Sequence, residues 1–182
     1  MNVKTGNDAR RPNLILTGMP SAGKSTLGVL AAKALGMDFI DTDILLQSRL
    51  GERLQPYIDR HGIEAFLKRE EEAVLAFAEE GTVVATGGSV VYSEAAMAHL
   101  QASGLVVYIE VPLAELERRL GDAAARGIAM RPDQTLADLY AERCPLYERH
   151  AGVTLRWKEG DAMADMVARL REGIGWESSS MA

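Results

Sequence analysis

The chain has 182 residues, of which 47% are hydrophobic and 25% are charged, and its net charge is −6. This size and composition fit one globular domain with its own core. They exclude a membrane span, since no run approaches about 18 apolar residues. They also exclude a basic nucleic-acid surface, since no block of Lys or Arg is long enough to form one. The single cysteine, Cys144, cannot form an internal disulfide, which favours a reducing cytoplasm.

Short apolar runs alternate with helical patterns along the chain. The predicted strands are residues 14–17, 39–41, 82–86, 105–110 and 153–157. The predicted helices are residues 24–35, 43–50, 62–80, 93–102, 112–120, 135–149 and 161–172. This alternation predicts an α/β fold, a five-stranded parallel sheet flanked by helices, with ligands bound at the carboxyl ends of the strands.

The alternation also predicts how the domain is organised. Residues 13–174 form a single domain, between a disordered N-terminal arm (1–12) and a flexible tail (175–182). The long, mostly helical insertion at 43–80 is interpreted as a substrate-binding segment. The loop at 121–134 carries arginines and glycines, so we interpret it as a lid, with a solvated surface loop as the alternative.

A phosphate-binding loop follows the first predicted strand and precedes the first predicted helix. Its sequence, G-M-P-S-A-G-K-S-T at 18–26, matches the pattern G-x-x-x-x-G-K-[ST] in the strand–loop–helix context that the motif requires. Backbone N–H groups of such a loop cradle a polyphosphate, the lysine reaches the terminal phosphates, and the serine hydroxyl binds Mg²⁺. The predicted nucleotide-binding residues here are Gly18, Ser21, Ala22, Gly23, Lys24, Ser25 and Thr26.

Two carboxylates come at the end of the second predicted strand. Asp41 is expected to hold Mg²⁺ together with Ser25, and Asp43 is expected to orient or deprotonate an acceptor hydroxyl. The alternative is that one of the two aspartates only caps the following helix. Phosphoryl transfer requires a held metal, positive charge on the transferred group and an oriented nucleophile. These residues, with Lys24, could supply all three.

Other candidate site residues lie further along the chain. Gly87 and Gly88 follow the third strand, where they either approach a substrate or form a tight turn. Arg131 in the loop and Arg143 on the next helix are candidate anion-binding residues, because guanidinium groups bind phosphate and carboxylate in a bidentate manner. The absence of an N-K-x-D motif excludes an ordinary GTPase. The absence of an Asp-rich Walker B strand favours a small-molecule or nucleotide kinase over an ATPase motor.

These motifs together resemble the shikimate kinase family over about residues 13–172. The resemblance rests on the phosphate-binding loop, the D-T-D at 41–43, a partial F-R-x-x-E at 66–70, the glycines at 87–88, the Arg-Pro at 131–132 and the R-x-P-L-Y at 143–147. It implies a nucleoside-monophosphate-kinase type of fold, ATP and Mg²⁺ as cofactors, and a role in aromatic amino acid biosynthesis. It also implies that Arg131 acts at the phosphates, that Arg119 contacts the nucleotide and that Arg143 binds the acceptor carboxylate.

The chain departs from the family pattern on the acceptor side. Leu67 stands where the family has an arginine that binds the shikimate carboxylate, and Ser89 replaces the third glycine. Shikimate therefore remains the first expected acceptor. The alternatives are another hydroxy acid, a polyol or a nucleotide, with Leu67 as an apolar wall of the acceptor site, or a non-catalytic nucleotide-binding regulator. We expect a cytoplasmic monomer, with a weak dimer as the alternative, and no nucleic-acid or membrane partner.

Overall fold

A parallel sheet of five strands forms the centre of the protein. In the computed structural model, which describes residues 11–120, 128–131 and 133–175, these strands are β1 (Asn13–Thr17), β2 (Asp38–Asp41), β3 (Thr82–Ala85), β4 (Gly104–Glu110) and β5 (Val153–Arg156). Their order is β2-β3-β1-β4-β5, and every neighbouring pair is parallel. β1 and β3 are buried along their whole length, because helices cover both faces of the sheet. The predicted α/β fold is confirmed.

Helices connect the strands as the sequence pattern predicts. Over the described ranges they are α1 (Lys24–Leu35), α2 (Thr42–Leu50), α3 (Leu54–Leu75), α4 (Glu94–Ser103), α5 (Leu113–Leu120), α6 (Leu136–His150) and α7 (Met163–Ile174), with a 3₁₀ turn at Val90–Tyr92. The end predicted for the helix at residues 62–80 is wrong, because α3 ends at Leu75, with Ala76 as its cap. The predicted start coincides with a break in α3, because Gly62, with φ of 80° and ψ of 166°, is not helical and joins two helical segments. The segment that precedes Gly62 was not predicted.

The insertion between β2 and β3 has a small hydrophobic cluster of its own. α2 and α3 pack against each other through buried apolar side chains that are separate from the main core. Leu46, Leu54, Ile58, Phe66, Ala73 and Ala129 form this cluster. Leu67 is only partly buried at its margin, whereas Val74 belongs to the main core.

The predicted N-terminal arm, lid and C-terminal tail fall largely outside the described residues. This holds for residues 1–10 of the arm, 121–127 and Pro132 of the lid, and 176–182 of the tail. Arg11 is already tied to the domain, because its Nη1 donates to the backbone oxygen of Leu35. Gly175 caps α7 in the left-handed conformation. Among the described helices, none is long and apolar enough to cross a membrane.

One close contact fixes the edge strand β2, and with it the residues that follow it. A Cβ on Gly28, in the middle of α1, would lie 2.5 Å from Cε2 of Phe39 in β2. Only a glycine therefore allows α1 and β2 to approach this closely. The carboxyl ends of β1, β2 and β3 consequently lie beside the N-terminus of α1, where a ligand site is expected.

Candidate active site

The phosphate-binding loop has the geometry that its sequence predicts. It joins β1 to α1, and Gly18, Ser21 and Gly23 all have positive φ angles, of 145°, 62° and 96°. Gly18 also packs tightly against β4, because a Cβ there would lie 2.8 Å from the backbone oxygen of Ile109. The loop is thus bent around a central space, with the first N–H groups of α1 at its end.

Lys24 is folded back into this loop. Its Nζ donates to the backbone oxygens of Gly18, at 2.8 Å, and Met19, at 2.9 Å. The side chain is buried, and burial lowers the pKa of its amine to about 8, although Asp43 nearby acts in the opposite direction. The ammonium group is therefore already placed beside the loop that would hold the phosphates.

Ser25 and Asp41 meet where a magnesium ion is expected. The hydroxyl of Ser25 donates to Oδ2 of Asp41 at 2.5 Å. Oδ1 of the same carboxylate accepts from the backbone N–H groups of Asp43 and Ile44, so Asp41 also caps α2. No group of three His, Cys, Asp or Glu side chains in the described ranges could hold a metal ion unaided. A hydroxyl and a carboxylate nevertheless fit Mg²⁺, which keeps water and phosphate oxygens as its other ligands.

Asp43 and Arg143 face the phosphate-binding loop across one small cavity. This cavity of about 240 Å³ is lined by Lys24, Asp43, Phe66, Gly88 and Arg143, among other residues. Burial raises the pKa of Asp43, while the charge of Lys24 opposes that shift. The cavity is small compared with drug-binding sites, so it suits a small metabolite.

Arg143 is a buried cation on α6. Its Nε donates to the hydroxyl of Tyr92 at 3.0 Å, and its Nη2 donates to the backbone oxygen of Ala129 at 2.5 Å. Only 1% of the residue is exposed, yet within the described part of the chain it forms no salt bridge. Because a buried charge is costly without a partner, this guanidinium is suited to an acidic group of a ligand.

The turn after β3 contributes Gly88 and Ser89 to the lining of the same cavity. The N–H of Gly87 donates to the Thr42 hydroxyl at 3.0 Å, and the backbone oxygen of Gly88 accepts from Tyr147 at 2.5 Å. A Cβ on Gly88 would lie 3.2 Å from both Nη1 of Arg143 and Cδ of Pro20. Gly88 therefore leaves the space between the guanidinium and the phosphate-binding loop open.

Glu70 is the last residue of the partial F-R-x-x-E at 66–70, to which sequence reasoning gave no role in the site. It lies on α3, only 3% exposed, and its Oε1 has no hydrogen-bond partner, the sole buried side-chain oxygen or nitrogen in this condition among the described residues. Burial raises its pKa to about 7. An available signal was its position four residues after Phe66 and four before Val74, on the buried face of the helix.

Leu67 and Arg131 lie away from this cavity. Both line a separate groove of about 930 Å³ beside the kink of α3. Arg131 is exposed, and its Nη2 lies 3.5 Å from Oε2 of Glu142. The structure therefore does not bring Arg131 to the phosphate-binding loop, and its role at the phosphates stays a prediction.

Arg119 does reach the phosphate-binding loop. Its Nη1 donates to the backbone oxygen of Ala22 at 3.2 Å, and its Nε pairs with Glu115, whose pKa is lowered to about 2 by Arg118 and Arg119. The guanidinium also lies 5.2 Å from the ring centre of Trp157. Trp157 and Glu115, which both contact this guanidinium, also line a cavity of about 560 Å³.

Comparison with known proteins agrees with this arrangement. The shikimate kinase family model matches residues 20–171. The chain is 37% identical over 158 residues to a shikimate kinase of Haemophilus influenzae strain PittEE, covering 85% of this chain and 88% of that one. The chain belongs to the shikimate kinase family. It is therefore an ATP-dependent small-molecule kinase, as the motifs predict.

Two further relatives extend the family likeness to nearly the whole chain. A shikimate kinase of Pasteurella multocida is 35% identical over 172 residues, covering 91% of this chain and 98% of that one. The structure of the Acinetobacter baumannii shikimate kinase in complex with shikimate has a TM-score of 0.81 and 28% identity. The superposition of the two structures covers 89% of this chain and 92% of that one. The family fold is thus present from the phosphate-binding loop to α7.

Proposed function

We propose that this protein transfers the terminal phosphoryl group of ATP, with Mg²⁺, to a hydroxyl of a small metabolite that carries a carboxylate. The observation that carries the proposal is the cavity lined by Lys24, Asp43 and Arg143, a buried guanidinium with no salt bridge among the described residues. It joins a phosphate-binding lysine, a candidate base and a buried cation for an acidic group, which are the parts that phosphoryl transfer to a hydroxy acid requires.

Each group has a defined task in this reaction. Arg143 binds the carboxylate of the acceptor, and Asp43 accepts the proton of its hydroxyl. The hydroxyl oxygen forms a bond to the γ-phosphorus as the bond to the bridging oxygen of ADP breaks. Lys24 exchanges its loop carbonyls for phosphate oxygens and offsets their charge. Ser25 and Asp41 would hold Mg²⁺, which neutralises phosphate charge when bound.

Shikimate is the first candidate acceptor, because the relatives named above are shikimate kinases. It carries both a carboxylate and hydroxyl groups, as the cavity requires. A second candidate, another small hydroxylated acceptor, is favoured by a specific observation. Leu67 offers no charge where the family has an arginine, and it points into a different groove from Arg143. An acceptor carboxylate would therefore be bound by one cation fewer than in the family pattern.

The test is acceptor-dependent release of ADP by the purified chain with ATP and Mg²⁺. The panel contains shikimate, other hydroxy acids, polyols and nucleoside monophosphates. Asp43→Asn should lower kcat by roughly 100-fold or more while ATP affinity changes little. The matched control is Asp38→Asn, an exposed carboxylate at the start of β2. Tight ATP binding with no turnover of any acceptor would refute the proposal and favour a nucleotide-binding regulator.

A further inference from the structure

Glu70 and Arg143 lie behind neighbouring residues of the turn after β3. A Cβ on Gly87 would clash with Oε1 of Glu70, and a Cβ on Gly88 would lie 3.2 Å from Nη1 of Arg143. The Cα atoms of successive residues are only about 3.8 Å apart. The buried carboxyl and the buried guanidinium are therefore close enough for the charge of each to act on the other.

Arg143 faces the acceptor cavity, whereas Glu70 lies behind its wall. Arg143 and Ser89 both belong to the lining of this cavity, and Glu70 does not. The hydroxyl of Ser89 hydrogen bonds to the carboxyl of Glu70. Glu70 can therefore act on an acceptor through these two residues without touching it.

The surroundings of Glu70 place its carboxyl between two charge states. In the part of the chain that the structure describes, the groups that face it are Lys24 of α1, Asp43 of α2, Arg143 and Tyr147 of α6, and the Ser89 hydroxyl. Burial has the largest effect and raises the pKa of Glu70 to about 7, although the two cations and the hydroxyl oppose this shift. At neutral pH the carboxyl is thus divided between its protonated and ionised forms, so a nearby change of charge shifts the balance.

An ionised Glu70 and the carboxylate of an acceptor compete for the charge of Arg143. A carboxylate bound at Arg143 brings a second negative charge close to Glu70, which raises the pKa of Glu70 and favours its protonated form. Because binding and protonation are linked, the protonated protein must in turn bind the carboxylate more tightly than the ionised protein does. Lys24 does not relieve this competition, since its task is to bind the phosphates.

We propose that Glu70 is a positioning residue whose protonation lets Arg143 bind the acceptor carboxylate, so that the acceptor binds together with a proton. The inference rests on the proposed kinase function and adds a proton to its acceptor-binding step. This proton comes from solvent, stays on Glu70 while the acceptor is bound, and is distinct from the hydroxyl proton that Asp43 accepts. Leu67 lines a separate groove, so it offers no second cation to the acceptor or to Glu70.

The decisive experiment is the pH dependence of KM for shikimate between pH 6 and pH 9, with saturating ATP and Mg²⁺. The carboxyl of shikimate stays ionised over this range, because carboxyl pKa values lie near about 4. We expect KM to rise roughly 10-fold as Glu70 ionises. Inhibition by methyl shikimate, which lacks this charge, should vary little.

The outcomes of this experiment separate the inference from the proposed function. A KM that is constant or falls with rising pH, while shikimate is turned over, would overturn the inference and leave the kinase proposal intact. If shikimate is not used, the same profile is measured with the carboxylate acceptor of the panel that has the highest kcat/KM. If ATP binds and no carboxylate acceptor is turned over at any pH, the kinase proposal itself fails, and the inference with it.

A variant at Glu70 tests whether its charge causes the trend. Glu70→Gln keeps the shape of the side chain without the charge, so KM for shikimate should be nearly independent of pH and roughly 10-fold below the wild-type value at pH 9. Glu64→Gln, which removes an exposed carboxylate from the same helix, is the matched control and should keep the wild-type profile. If Glu70→Gln raised KM equally at every pH, Glu70 would have only a structural role.

Proton uptake can also be measured directly. At pH 8, calorimetric titration with shikimate in two buffers of different ionisation enthalpy should show that a fraction of a proton is taken up for each shikimate bound. Glu70→Gln should abolish this uptake. Equal uptake by the wild type and the variant would assign the proton to another group and overturn the inference.

Ser89 gives a test that shifts the profile without removing the carboxyl. Its hydroxyl favours the ionised form of Glu70, so Ser89→Ala should move the rise in KM to higher pH. Ser48→Ala, at an exposed position on α2, is the matched control and should leave the profile where it is. A Ser89→Ala variant whose KM changes by the same factor at every pH would contradict the proposed link between Ser89 and Glu70.

Discussion

Glu70 should destabilise the folded protein at neutral and alkaline pH, and Glu70→Gln should remove that penalty. Burial raises the pKa of this carboxyl from 4.5 to about 7. The folded state therefore binds the proton more tightly than the unfolded state does. The penalty is absent below about pH 4.5, grows between the two pKa values, and is complete above about pH 7. At 1.36 kcal/mol for each pKa unit, the shift corresponds to about 3 kcal/mol.

Urea unfolding of the wild type and of Glu70→Gln at pH 5 and pH 8 measures this effect. Glutamine keeps an oxygen that can accept from Ser89 and places an amide near Asp43, so the variant should fold. We expect its free energy of unfolding to exceed that of the wild type by up to about 3 kcal/mol at pH 8, and by clearly less at pH 5.

The control for this measurement is Glu64→Gln, which removes an exposed carboxylate from the same helix. Its difference from the wild type should be small at both pH values. If Glu70→Gln also gave the same difference at pH 5 as at pH 8, the carboxyl of Glu70 would have an ordinary pKa. The reasoning about an uncompensated charge beside the acceptor cavity would then be refuted.

Three further predictions follow from close contacts. Gly87→Ala should raise the KM for the acceptor sharply, because its Cβ would clash with Glu70, while a binding titration should show unchanged affinity for ATP. An equal loss of affinity for acceptor and ATP would contradict this. Gly28→Ala should lower the free energy of unfolding in urea by about 1–3 kcal/mol, because its Cβ would press on Phe39; an unchanged stability would refute the contact. Trp157 fluorescence should change on ATP addition, because Arg119 contacts both its ring and the phosphate-binding loop; an Arg119→Ala variant should lose this signal.

The sequence predicted the parts of the site that depend on local chain geometry. The spacing of Gly18, Gly23 and Lys24 determines a loop and a helix start by itself, and the structure has both. The position of Asp41 at a strand end likewise predicted its contact with Ser25, because parallel strands bring their carboxyl ends to one edge. These are short-range rules, so a pattern of a few residues is sufficient.

Other features depend on contacts between distant segments, which no local pattern contains. The unpaired oxygen of Glu70 arises because α3 packs its buried face against the turn at Gly87. The position of Arg131 depends on the path of the loop before α6, and its pairing with Glu142 could not be inferred from a motif. The sequence predicted a helix start at Gly62, but not the helical segment that precedes this glycine in the structure. Subcellular location and oligomeric state stay predictions.

The hydrogen bonds of Lys24 have a consequence for how nucleotide affinity should be interpreted. Its ammonium group already has two acceptors, the backbone oxygens of Gly18 and Met19. A phosphate must displace these partners, so the measured affinity is the difference between two sets of bonds and understates the strength of the new ones. The same two hydrogen bonds also tie the lysine side chain to the backbone of the loop. Replacement of Lys24 would therefore alter the empty loop as well as the bound nucleotide, and the two effects would need separate measurement.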